Sequence, residues 1–189
     1  MPKIQNISKA AAKSGSHFFT GDNSILIQIV DPATEFPVPA QKFQEIHQFE
    51  FLDVEDNGMT NMGDGRMVDM SEFAITRDQA KQLVQILQSA KERDMNVVVH
   101  CHAGICRSGA VVEVGVMMGF DDPKVFRSPN LLVKHEMMRA LGWTYDSDEP
   151  HTINGQPIAM EWNSFVDKVW FLREARRQHN ESQEREGDI

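Results

Sequence analysis

The amino-acid sequence predicts an α/β fold, with a mostly parallel central sheet flanked by helices. Three observations carry this expectation. The runs SILIQIVD (24–31) and NVVVH (96–100) are short, apolar and β-branched, and the second is continuous in the manner of a strand covered on both faces of a parallel sheet. A helical period lies between these two runs and further helical periods follow them. The chain has 189 residues, 41% hydrophobic and 25% charged, enough for one domain with a sizeable core.

The elements follow in order. MPKIQNISKAAAKSGS lacks the apolar core of roughly 7–15 residues that a signal peptide needs. No run reaches the ~20 apolar residues of a membrane span, so the expected location is cytoplasmic. SILIQIVD is a buried strand stopped by Asp31-Pro32, and EFPVPAQ is a loop. HQFEFLDVED alternates at Phe49, Phe51 and Val54 and reads as a second strand ending in acidic residues. NGMTNMGDGRMVDMSEF has no clear period and reads as a long surface loop.

ITRDQAKQLVQILQSAKERD then has the signals of a helix. Thr76 and Gln79 match a capping box, and Ala80, Leu83, Val84, Leu87 and Ala90 form one apolar face. After the NVVVH strand, GAVVEVGVMMGF and NLLVKHEMMRALGW read as helices. MEWNSFVDKVWFLREARRQ (160–178) reads as an amphipathic helix, with Trp162, Phe165, Val166, Val169 and Trp170 on its apolar side. HNESQEREGDI (179–189) is a charged tail. In sheets of this kind sites lie at the carboxyl ends of strands. His100 and Cys101 end one predicted strand, and Asp53 ends another.

The formal net charge of −9 argues against general affinity for nucleic acid or an anionic membrane. Two cysteines in a chain this long are no disulfide framework, and in a reducing compartment they point to catalysis, metal binding or burial. Both lie in CHAGICRSG, which joins the NVVVH strand to the next helix. The small residues Ala103, Gly104 and Gly109 let the backbone turn tightly, so that successive N–H groups from His102, Ala103, Gly104, Ile105, Cys106 and Arg107 converge as a nest for an anion. A helix starting near Ser108 adds the positive end of its dipole, and Arg107 adds a planar fork that grips two phosphate oxygens. Cys101 sits at the floor of this nest, where the same donors stabilise a thiolate. A thiolate beneath a held phosphate is an in-line nucleophile, and the loop can form a phosphocysteine intermediate. Ser108 can donate a hydrogen bond to the sulfur when it leaves.

HCHAGICRS, His100 to Ser108, resembles the signature of the cysteine-dependent protein tyrosine phosphatases: His-Cys, five residues, Arg, then Ser or Thr. The Ala-Gly-Ile and the final Arg-Ser are most similar to the dual-specificity branch. ILIQIVDP, FEFLDVED, the helix before the loop, and SPN after it are similar to a group of small tyrosine phosphatases. The resemblance implies a tyrosine-phosphatase-like fold, with one phosphatase domain over residues 1–178 and the tail beyond it. It also implies a phosphorylated protein as substrate and no cofactor or metal. Oligomeric state is not legible in the sequence.

The family uses an aspartate as general acid. Asp53, Asp56 and Asp69 are the candidates. Asp53 is preferred because relatives place Phe-x-Asp at that strand end, whereas Asp69 has a familiar spacing, 32 residues before Cys101. GICRS resembles the low-molecular-weight phosphatases too, where the matching second cysteine pairs with the nucleophile. The expectation is that Cys106 forms a reversible disulfide with Cys101 under peroxide. His100 is expected to be structural, bonded to backbone, and His102 to reach substrate. The loop holds no lysine and a single arginine, which weakens a phosphoinositide substrate, and the acidic charge weakens an RNA 5′-end. Two other readings stand beside the enzyme: a non-catalytic phosphoprotein-binding module, and a redox or metal protein built on Cys101 and Cys106.

Overall fold

A computed structural model of the chain describes residues 1–15, 19, 21–54, 58–61, 66–143, 151–153 and 156–158. In chain order the elements are β1 (Ile4–Ser8), α1 (Lys9–Ser14), β2 (Gly21–Val30), β3 (Phe43–Glu50), β4 (Met59–Asn61), β5 (Met67–Asp69), α2 (Arg77–Glu92), β6 (Asn96–Cys101), α3 (Arg107–Met117), α4 (Leu131–Ala140), β7 (His151–Ile153) and β8 (Gln156–Ile158). The central sheet is β1-β6-β2-β3, parallel throughout. The fold is thus the predicted α/β architecture, a parallel sheet flanked by helices.

The two apolar runs became the two central strands. Every residue from Ser24 to Val30 and from Val97 to Cys101 is buried, because β2 and β6 are covered on both faces. Ile25, Ile27, Ile29, Val97 and Val99 pack with Leu83 and Leu87 of α2, Val111 and Val114 of α3 and Met137 of α4. Leu26, Val98 and Ile7 face the other way and pack with Ala12 of α1. Each such aliphatic side chain contributes about 1.5–3 kcal/mol by leaving water.

Helix α2 starts as its sequence dictates. Thr76 Oγ1 accepts from Gln79 N at 3.2 Å and Gln79 Oε1 accepts from Thr76 N at 2.9 Å. Its buried residues are the five predicted ones.

Three expectations are corrected. The strand β3 runs earlier than HQFEFLDVED and stops at Glu50, so Asp53 follows the strand rather than ending it. Phe51 N still donates to Val30 O, but Leu52 N turns to Phe73 O and leaves the ladder. The segment read as one surface loop contains an antiparallel β4–β5 hairpin and a 3₁₀ turn at Ser71–Phe73. Its strands are three residues long, too short for a period to register. Finally β1 was not foreseen, because IQNIS is half polar, although Gln5 and Asn6 are each 1% exposed. The amphipathic segment 160–178, the tail and Asp56 lie outside the described residues. Among the described residues, no helix is long and apolar enough to cross a membrane.

Candidate active site

Strand β6 ends at Cys101, whose Cα pairs with that of Ser8 at the end of β1. The chain turns through residues 102–106 and enters α3 at Arg107. The turn depends on Gly104, which has φ +77° and sits against β1. A Cβ there would lie 2.3 Å from Ile7 C and 2.4 Å from Ser8 N, which no side chain tolerates. The buried Asn6 amide locks the arrangement by donating to Gly104 O at 2.7 Å and to Phe126 O at 2.9 Å. Lys9 N donates to His102 O, Ser128 N to Ile105 O and Asn130 N to Cys106 O. The loop is therefore backed by β1 on one side and by residues 126–130 on the other. That second support is itself pinned by buried Arg127, which donates to Glu113 of α3 at 2.6 Å and to both carboxylate oxygens of Asp122.

Inside the loop Cys101 is 2% exposed. The Gly104 N–H points at Cys101 Sγ across 3.3 Å, and Ser108 Oγ lies 3.2 Å from the same sulfur, where either atom can donate. Ser108 is fully buried in the first turn of α3, whose dipole has its positive end there. Arg107 is buried too. Its Nη1 donates to Asp31 Oδ1 at 2.7 Å and to Phe51 O at 2.6 Å, while its Nε has no hydrogen-bond partner among the described residues. His102 and Ala103 are exposed at the rim, and Ile105 and Cys106 are half-buried. Cys106 is the N-cap residue of α3, and no disulfide joins it to Cys101. Among the described residues, no three His, Cys, Asp or Glu side chains are grouped to hold a metal ion.

His100 is completely buried, and neither ring nitrogen has a partner of sound hydrogen-bond geometry among the described residues. The expected bond to backbone is met only by a weak interaction with the Cys101 backbone. Burial, the largest influence, pushes its pKa from 6.5 down to about 4. The Lys9 and Arg107 charges act the same way, and the nearby Cys101 backbone opposes them. The imidazole is thus held neutral, while the unfolded chain takes up a proton below pH 6.5. Between pH 6.5 and 4 the unfolded state binds more protons, so stability falls as pH falls across that window, by on the order of 3 kcal/mol. Urea midpoints at pH 7 and 4.5 should fall further for wild type than for His100→Asn. Equal falls would remove His100 as the cause.

The three candidate acids fare differently. Asp53 is exposed, between the buried anchors Phe51 and Val54, and Oδ1 accepts from Asn130 Nδ2 at 2.8 Å. Asp69 is exposed in β5, and its Oδ1 accepts from Ser71 N and Ser71 Oγ. Asp56 lies outside the described residues. Two residues at the site went unrecognised in the sequence as parts of it. Asp31 was read as the stop of β2 but holds Arg107, and only the strand order brings the two together. Asn130 has the signal of an N-cap, Ser-Pro-Asn before an apolar run, but its grip on Asp53 has none.

No family model matches the chain. The tyrosine-protein phosphatase Lar of Drosophila melanogaster is 25% identical over 103 residues, a match spanning 48% of this chain and 4% of Lar. Among solved structures, OH1 from the Orf virus, described as a tyrosine phosphatase with distinct structural features and triple substrate specificity, is 18% identical with a TM-score of 0.38. The alignment covers 62% of this chain and 57% of that one. In its sequence the chain is thus similar to the protein tyrosine phosphatases.

Proposed function

We propose that the chain is a protein phosphatase that hydrolyses phosphotyrosine, with phosphoserine and phosphothreonine as a wider range, through a phosphocysteine intermediate. One observation carries the reading. Cys101 Sγ lies at the end of a parallel strand with an amide N–H and a hydroxyl against it, beside a buried arginine whose Nε has no partner among the described residues. Donors so arranged suit a phosphate dianion over a thiolate.

In the proposed reaction the Cys101 thiolate attacks phosphorus. The ester P–O bond breaks, and the leaving oxygen takes a proton from the Asp53 carboxyl. The loop amides and Arg107 hold the three equatorial oxygens, which carry the developing charge. The Asp53 carboxylate then takes a proton from water as that water attacks phosphorus. The P–S bond breaks, Ser108 hydrogen-bonds the departing sulfur, and inorganic phosphate leaves. The net change is ester plus water to alcohol plus phosphate, and no metal or organic cofactor enters it.

The test is hydrolysis of p-nitrophenyl phosphate across pH 5–8, with a chelator present. Wild type should turn over and be inhibited by vanadate. Cys101→Ser should lose turnover altogether while melting near the wild-type temperature. A well-folded wild type without turnover would overturn the enzyme reading in favour of a phosphoprotein-binding module, for which phosphopeptide affinity is the measurement.

A further inference from the structure

We infer that Asn130 is the positioning residue that sets the Asp53 carboxyl in register with the Cys101 loop. The inference rests on the phosphatase reading above, and on Asp53 as its proton donor.

Asn130 is fully buried and joins three elements at once. Its backbone N–H donates to Cys106 O, inside the loop, at 3.1 Å. Its side-chain Nδ2 carries two hydrogens and meets two acceptors, Asp53 Oδ1 at 2.8 Å and Val54 O at 3.2 Å. Its Oδ1 accepts from Val133 N at 2.9 Å and so caps α4. Nothing in this set is spare. The loop carbonyl, the acid and a helix N-terminus are tied to one residue that solvent does not reach.

Asp53 needs such a tether. It lies in irregular chain after β3 has ended, and its side chain is exposed. An exposed aspartate on irregular chain samples several rotamers, and a proton donor works only within hydrogen-bond reach of the leaving oxygen. The amide of Asn130 restricts the carboxyl to one placement. Because the same residue's N–H holds Cys106, movement of the loop carries the acid with it. The Asn130 side chain itself does not meet substrate.

The test separates proton donation from general damage by varying the leaving group. Phenyl phosphate needs its leaving oxygen protonated far more than p-nitrophenyl phosphate, whose phenol is much more acidic. Serine caps a helix about as well as asparagine, so Asn130→Ser keeps the α4 cap and removes the donor to Asp53. Asn130→Thr also keeps the cap, without adding a charge, and serves if the serine variant melts early. Asp53→Asn is the reference, expected to lose ~100-fold or more on phenyl phosphate and far less on p-nitrophenyl phosphate. Asn130→Ser should show the same discrimination in smaller measure, with roughly 10-fold more loss on phenyl phosphate.

An equal loss on both esters, or none, in folded Asn130→Ser, with Asp53→Asn discriminating, would overturn the inference alone. If Asp53→Asn shows no discrimination while Cys101→Ser is inactive, the acid has been misassigned and the inference falls with it, but the phosphatase reading stands. A wild type that hydrolyses neither ester overturns both.

Discussion

Arg107→Lys is expected to lower kcat/KM for p-nitrophenyl phosphate by about 10²–10³, close to the effect of removing an oxyanion donor from a preorganised site. The reason lies in how the guanidinium is divided. Nη1 is committed to Asp31 Oδ1 and Phe51 O, which fix the plane of the group, and the buried Nε has no partner among the described residues. A lysine has one nitrogen and no plane. It can reach Asp31 or an anion, but it cannot hold both in fixed geometry. Vanadate affinity should fall with kcat/KM, since a vanadate held as phosphate is meets the same fork. A lysine variant with wild-type kcat/KM and vanadate affinity would mean that the loop amides alone hold the anion.

Gly104→Ala should be the most damaging single change in the loop. It places a Cβ 2.3–2.5 Å from the Ile7 and Ser8 backbone, and it forces alanine to φ +77°. Backbone cannot yield as a flexible side chain can, so either β1 shifts or the loop leaves its Asn6 anchor. The expected loss is on the order of 3 kcal/mol of stability, with turnover falling with it. Gly21→Ala separates the two causes. Gly21 has φ +85° but no atom within 4 Å of a built Cβ, so it should show only the dihedral cost of about 1 kcal/mol. Melting temperatures of the two variants check this. Equal losses would mean that the close approach to β1 is unimportant.

Much of the fold was legible because burial writes itself into residue order. The apolar runs at 24–30 and 97–99 read as buried strands and are the two central ones, and the α2 face at Ala80, Leu83, Val84, Leu87 and Ala90 read as helical and is so. The capping box at Thr76 announced where that helix begins. Strand β1 stayed hidden for a physical reason. Asn6, which looks like loop chemistry, is buried because its amide serves Gly104 O and Phe126 O. The β4–β5 hairpin was hidden by its length.

The candidate site divides the same way. By itself, the sequence determined the fold class, the strand-to-helix loop from His100 to Ser108, and that Cys101, Gly104, Arg107 and Ser108 share it. Those residues are neighbours in the chain, so spacing alone constrains where they meet. Only the tertiary structure decided what surrounds them. Asp31 reaches Arg107 across 76 positions, and Asn130 reaches Asp53 across 77. Such contacts follow from the order β1-β6-β2-β3 and from where α4 packs. They come from burial summed over the whole core, and no local pattern of residues records them.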